Sequence, residues 1–225
     1  MHKVKTVSLK NYIKNKEVNH FTIHGTEIFV KDPITNNISA RKVVNSVFES
    51  VPKHLMRNVE SIYIGSFDFL KKRDIEGVYE NSSIFITNEQ DSEEDLFDDI
   101  LHEVAHSVEE LYKDVLYGDG RMEKEFIAKR KNMWLALKNQ GIETDLKLYL
   151  DPEYNEEFDI FLYDEVGYST LGMLTSSIFH SPYASTSLRE YFADGFEAFF
   201  MKEDIPRLKS LCPVLFAKIS NLLEN

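Results

Sequence analysis

Two histidines spaced four residues apart are the feature of this sequence that points most directly to chemistry. They lie in the segment His102-Glu103-Val104-Ala105-His106. If the segment is helical, both imidazoles project from one face, about one turn apart. Two neutral imidazoles so placed bind a single zinc ion, and the glutamate between them can act as a general base. The spacing therefore predicts His102 and His106 as metal ligands and Glu103 as a catalytic residue; two surface histidines on an amphipathic helix are the alternative.

A pair of carboxylates near the end of the chain could supply a third metal ligand. Glu190 and Asp194 are also four residues apart, in a segment rich in Phe and Tyr. A catalytic zinc site takes three protein ligands and leaves one position open. We expect Glu190 to be the third ligand and Asp194 to orient one of the imidazoles. The alternative is a helix-capping box that joins Ser187 and Glu190, with Asp194 in solvent.

Both groups fall in segments that the apolar spacing predicts to be helical. Asp91 or Ser92 can cap a helix that runs to about Tyr112. A later helix is expected from Ser187 to about Lys202. Alternating apolar residues predict strands earlier in the chain, including a hairpin whose second arm is Ser83–Ile86. The sequence thus predicts an α+β fold with a small mixed sheet.

Composition narrows the class of protein. The chain has 225 residues, with 26 Lys and Arg against 38 Asp and Glu, for a net charge of −12. This balance disfavours a nucleic-acid-binding surface. The single cysteine excludes an internal disulfide and a cysteine-rich zinc site. No apolar run approaches the roughly 18 residues that a membrane span needs. Residues 1–8 contain no apolar signal core, so a soluble, cytoplasmic protein is expected.

The two groups together resemble the gluzincin type of zincin metallopeptidase. Within that type, the residues from Glu190 to Phe196 are similar to a motif of the anthrax lethal factor catalytic domain and the clostridial Pro-Pro endopeptidases, which are toxin-related or secreted. Those families carry a catalytic tyrosine seven residues before the glutamate ligand, and Tyr183 holds that position here. Residues 207–213 are also similar to the Pro-Pro endopeptidase tail. The resemblance covers residues 84–107 and 179–225.

This resemblance implies a single zincin-like catalytic domain over residues 1–225 that binds Zn²⁺ and hydrolyses peptide bonds of a protein substrate. The chain departs from those families in three ways. His106 and Glu190 are 84 residues apart, a longer separation than expected, because of a helical and acidic insertion at about 113–175. Asp194 stands where the relatives usually have glutamate. The relatives are secreted, which makes secretion the alternative to a cytoplasmic location.

The expected mechanism is metal-assisted hydrolysis. Glu103 would take a proton from the attacking water, and the metal and the Tyr183 hydroxyl would stabilise the oxyanion. An ordinary half-buried tyrosine is the alternative for Tyr183. The strand Ser83–Ile86 is expected at the sheet edge, where an extended substrate could pair with it. The acidic stretch 151–165 would favour basic substrates, or else form a solvated loop or a partner surface.

Two other functions fit the same residues. The chain could be an intracellular zincin peptidase of another family, in which case the third ligand differs from Glu190. It could instead be a catalytically inactive protein-interaction module that keeps zinc for structure. The intact Glu103 argues against the second, because a structural zinc site has no use for a general base. The oligomeric state and the identity of the substrate are not predicted.

Overall fold

The computed structural model describes residues 19–202 and 204–224. Residues 1–8, from which the absence of a signal segment was inferred, lie outside this part of the chain. The strands are β1 (Asn19–Ile23), β2 (Thr26–Val30), β3 (Ser61–Ile64), β4 (Gly77–Glu80) and β5 (Ser83–Ile86). The α-helices are α1 (Ala40–Ser50), α2 (Asp68–Arg73), α3 (Glu93–Tyr117), α4 (Arg121–Asn139), α5 (Leu146–Leu150), α6 (Glu156–Ile160), α7 (Tyr168–Thr175), α8 (Leu188–Met201), α9 (Ile205–Leu211) and α10 (Pro213–Leu222). Short 3₁₀ turns occupy Thr35–Asn37 and Tyr183–Ser185, and a π-helical turn occupies Phe161–Val166.

The chain folds as two compact units. Of the described residues, the first unit comprises 19–49 and Val59–Ile100, and the second comprises Ser50–Asn58, 101–202 and 204–224. The first contains the sheet and the second contains most of the helices, so the predicted α+β class with a small mixed sheet is confirmed. The single catalytic domain over residues 1–225 stays a prediction. Across the described residues, no helix combines the length and the apolar character that crossing a membrane requires.

The five strands of the first unit form one mixed sheet in the order β1-β2-β3-β5-β4. The β4–β5 hairpin is antiparallel, as predicted, while β3 pairs in parallel with both β2 and β5. The expectation that Ser83–Ile86 is an edge strand is wrong, because β5 lies between β3 and β4. The reason is burial: Ile84 and Ile86 are fully buried, which an interior strand achieves more readily than an edge strand. Among the described strands, the edges are β1 and β4.

The two faces of the sheet differ in character, as the two-residue period of a strand requires. One face buries isoleucines from four strands. The other carries a ladder of stacked rings in which Phe29 lies 4.9 Å from Tyr63, and Tyr63 lies 5.0 Å from Phe85, between ring centroids. Cross-strand aromatic pairs of this kind fix the register of neighbouring strands.

Helix α3 carries the histidine motif and is the longest helix described. The Ser92 hydroxyl accepts the N–H of Asp95 at 3.1 Å, which settles the cap on Ser92. Apolar residues at near-helical spacing are fully buried, namely Leu96, Ile100, Val104 and Val108. The helix was expected to end near Tyr112; its backbone does leave helical geometry there, with φ −113° and ψ 19°, but it continues to Tyr117.

The second unit packs α8 against α4 and α10 around buried polar anchors. The Glu125 carboxylate on α4 accepts the Tyr191 hydroxyl of α8 at 2.8 Å and the N–H of Val214 in α10 at 2.9 Å. The buried Arg130 of α4 donates to the carbonyl of Asp151 at 2.8 Å. These contacts hold both α8 and Asp151, at the start of the acidic stretch, against α4.

Candidate metal centre

His102 and His106 lie on one face of α3, as their spacing predicts. Their ring centroids are 5.0 Å apart and the ring planes are nearly perpendicular. His106 is buried, and 18% of the His102 side chain is exposed. Both rings direct Nε2 towards the same oxygen of Glu190, which lies 3.0 Å from the Nε2 atom of His102 and 3.6 Å from that of His106. One donor atom from each of the three residues falls within 4.8 Å of the other two.

Glu190 reaches this position from the first turn of α8. The Ser187 hydroxyl caps the helix by accepting the N–H of Glu190 at 3.1 Å, so this half of the alternative capping box is present. The Glu190 carboxylate, however, turns towards the two imidazoles. The cap therefore sets the direction in which α8 begins, and the side chain of Glu190 remains available as a ligand.

The three groups are strongly coupled electrostatically. Burial raises the pKa of Glu190, but hydrogen bonds from His102 and His106 outweigh burial and hold this pKa well below its usual range. Burial lowers the pKa of His102, but the hydrogen bonds that its ring can donate to Glu190 and Glu197 outweigh burial and raise this pKa well above its usual value. The Glu190 carboxylate therefore stays ionised between the two imidazoles, and an ionised carboxylate is a group that binds cations.

Glu197 contacts His102 on the Nδ1 side of the ring, and it was not among the predicted site residues. Its carboxylate lies 3.1 Å from Nδ1 of His102. Asp194, which was expected to orient an imidazole, is buried and accepts the Ser181 hydroxyl, with His180 Nδ1 3.8 Å from its other oxygen. The signal for Glu197 was present, because positions 190, 194 and 197 follow the i, i+4, i+7 pattern of one helical face.

His106 has its own neighbours on the Nδ1 side. Arg189 Nε lies 3.0 Å from His106 Nδ1, and the carboxylate of Glu109 lies 3.6 Å from the same nitrogen. Each imidazole thus presents Nε2 to Glu190 and has a glutamate on its Nδ1 side. In metal sites, a carboxylate on the second ring nitrogen fixes the tautomer and the orientation of a histidine ligand.

Glu103 and Tyr183 both belong to the same unit as the histidines. Glu103 is 6% exposed, and its charge contributes to raising the pKa of both imidazoles. Tyr183 lies in a 3₁₀ turn with its ring centroid 6.0 Å from that of His102 and 37% of the residue exposed. Burial first, and then the charge of Glu190, raise the pKa of Tyr183, so its phenol stays protonated and can donate a hydrogen bond.

Asp159, in the acidic stretch, is hydrogen-bonded to two tyrosines. Its carboxylate accepts hydroxyls from Tyr154 at 3.0 Å and Tyr168 at 3.3 Å. The charge of Asp159 contributes to raising the pKa of Tyr183, and the charge of Glu190 contributes to raising the pKa of Tyr168.

Two imidazoles and one carboxylate are a donor set that suits zinc, and three such ligands leave a fourth tetrahedral position open. The three residues are therefore of a type, number and arrangement that could hold a zinc ion. Comparison of the chain with protein-family models, with curated proteins and with solved structures finds no significant match.

Proposed function

We propose that this protein is a zinc-dependent metalloendopeptidase that hydrolyses peptide bonds of a protein substrate. The observation that carries the proposal is the convergence of His102, His106 and Glu190 within 4.8 Å of one another. It is supported by Glu103, which the helix places one residue after the first ligand. A structural zinc site is usually closed by four protein ligands, whereas this group supplies three.

The chain's own residues provide the rest of the chemistry. Bound zinc supplies a Lewis acid and lowers the pKa of a water molecule towards about 7. The Glu103 carboxylate accepts a proton as water attacks the scissile carbonyl, and it returns a proton to the departing amine. The Tyr183 hydroxyl donates a hydrogen bond to the oxyanion that forms on the former carbonyl oxygen.

We also propose that the fold is zincin-like and that the chain is related to the lethal factor and Pro-Pro endopeptidase type. Two features support this. The antiparallel β4–β5 hairpin directly precedes the histidine helix in the chain, and Tyr183 stands beside His102 at the predicted seven-residue distance before Glu190. Glu197, rather than Asp194, contacts the His102 imidazole on its Nδ1 side, which distinguishes this chain from the expected pattern.

Substitution of Tyr183 by phenylalanine tests the oxyanion contact. We expect kcat to fall about 10²-fold, the usual effect of removing one oxyanion donor. Zinc stoichiometry should not change, because the hydroxyl is not one of the three ligand groups. Steady-state kinetics and metal analysis of the same preparation provide the check. An unchanged kcat would leave Tyr183 as an ordinary partly exposed tyrosine.

The acidic stretch predicts the type of substrate. The segment between Lys147 and Arg189 contains no lysine or arginine. Its acidic part is held to the first turn of α8, because the N–H of Leu188 donates to the carbonyl of Pro152 at 2.8 Å. We therefore propose that the enzyme prefers substrates with Lys or Arg close to the scissile bond. Cleavage-site mapping on a proteome-derived peptide library should show this enrichment, and Asp159→Asn should reduce it, whereas the exposed control Glu143→Gln should not. An absence of basic residues around the cleaved bonds would rule out the preference.

A further inference from the structure

The Nδ1 atom of His106 faces two groups of opposite hydrogen-bonding character. Arg189 Nε, which can only donate, lies 3.0 Å away, and Glu109 Oε2, which can only accept when ionised, lies 3.6 Å away. Arg189 Nε is also 3.2 Å from the same Glu109 oxygen. One N–H therefore lies within reach of both the ring nitrogen and the carboxylate.

Glu109 is fixed from its other side as well. The Tyr117 hydroxyl donates to Glu109 Oε1 at 2.6 Å. Burial, and then the charge of Glu109, raise the pKa of Tyr117, so the phenol remains a donor. A regular helix separates residues eight apart by about 12 Å along its axis. The backbone leaves helical geometry at Tyr112, which lies between Glu109 and Tyr117.

The two neighbours of Nδ1 correspond to different tautomers of the neutral ring. If Nδ1 accepts the Arg189 N–H, the ring proton is on Nε2, and Nε2 has no lone pair for a metal. If Nε2 binds a metal, the proton is on Nδ1 and needs an acceptor. Of the two groups, only Glu109 can accept it. Metal binding at Nε2 therefore requires Glu109, and not Arg189, as the hydrogen-bond partner of Nδ1.

We propose that Glu109 is a positioning residue that accepts the Nδ1–H of His106 when Nε2 binds a metal, with Arg189 then donating to Glu109 alone. With a metal on Nε2, the single proton of the ring lies on Nδ1. Tyr117 and Arg189 together orient the carboxylate for this contact. The inference rests on the metal site of the proposed function, but it does not require that the protein cleave peptides.

The test is the zinc affinity of Glu109→Gln, measured by competition with a chromophoric chelator. Glutamine keeps the size of the side chain and an acceptor for Tyr117, but it can present an N–H to the Nδ1–H of His106. We expect zinc affinity to fall about 10–100-fold, as when an orienting partner of a histidine ligand is removed. The control Glu110→Gln changes the next, exposed glutamate of the same helix and should bind zinc as the wild type does.

A spectroscopic measurement separates positioning from a general loss of stability. Long-range ¹H–¹⁵N spectra of the imidazoles should show His106 as the Nδ1–H tautomer in the zinc-loaded wild type. The Nε2–H tautomer in that state would overturn the proposal, and so would equal zinc affinity of Glu109→Gln and the wild type. A wild-type protein that does not bind zinc would overturn both this inference and the proposed function. The expected loss of affinity without any peptide cleavage would support this inference and contradict only the proposed function.

Discussion

Replacing Glu103 by glutamine is expected to reduce peptide hydrolysis by about 10²–10⁴-fold, the usual contribution of a general base. The amide has nearly the same shape as the carboxylate but cannot take a proton from the attacking water. Zinc binding should persist, because Glu103 is not one of the three residues whose donor atoms converge. A loss of activity with retained metal is the signature of a catalytic base.

The measurement is single-substrate kinetics on a peptide obtained from the cleavage mapping, with zinc content determined on the same samples. Glu110→Gln serves as the control, because it removes an exposed carboxylate from the same helix. If the wild type and Glu103→Gln both bind one zinc and neither cleaves any protein or peptide, the protein is a zinc-binding interaction module instead.

Replacing Glu190 by alanine is expected to weaken zinc binding by more than about 100-fold, beyond the effect of losing an orienting partner. The substitution removes the oxygen that both Nε2 atoms face, at 3.0 Å from His102 and 3.6 Å from His106. Two imidazoles alone do not complete a catalytic zinc site. Peptidase activity should be lost together with the metal.

Ser187→Ala is the control that separates this ligand from the helix cap. The serine accepts the backbone N–H of Glu190, so its loss should cost about 1 kcal/mol of stability while leaving the carboxylate in place. Zinc titration and thermal unfolding of both variants distinguish the two effects. Full zinc occupancy and activity in Glu190→Ala would show that the third ligand lies elsewhere and that another zincin family is the better comparison.

The parts of this structure that the sequence predicted are those encoded by local spacing. The apolar repeat and the Ser92 cap predicted helix α3, and the four-residue interval predicted that His102 and His106 share a face. The resemblance and the need for a third ligand predicted Glu190 as that ligand, and Glu190 does lie beside the two histidines. Nothing in the sequence between the two helices indicates that they meet.

The features that the sequence did not predict depend on contacts between segments that are far apart in the chain. The position of β5 inside the sheet follows from its parallel pairing with β3, and the period of a strand does not reveal which strands flank it. Asp194 was predicted to orient an imidazole, but it is Glu197 that lies beside His102. Both residues lie on the helical face of Glu190, so their spacing does not distinguish them. The contact of Glu109 with Arg189 joins residues 80 positions apart on different helices.

The contacts that anchor the acidic insertion were not predicted from the sequence either. Its charge is evident from composition, but the way it is anchored is not. The N–H of Leu188 donates to the carbonyl of Pro152 at 2.8 Å, and the guanidinium of Arg130 binds the carbonyl of Asp151. The stretch is therefore tied to the beginning of α8, the helix that carries Glu190.

We propose that two imidazoles and one carboxylate of this protein share a single cation. Anomalous diffraction at the zinc edge, on crystals of the zinc-loaded protein, tests it most directly. We expect one zinc per chain, about 2.0–2.1 Å from Nε2 of His102 and of His106, bound also by the Glu190 carboxylate and with a fourth position open to solvent. A chain that holds no zinc, or a zinc whose ligands exclude Glu190, would contradict the account.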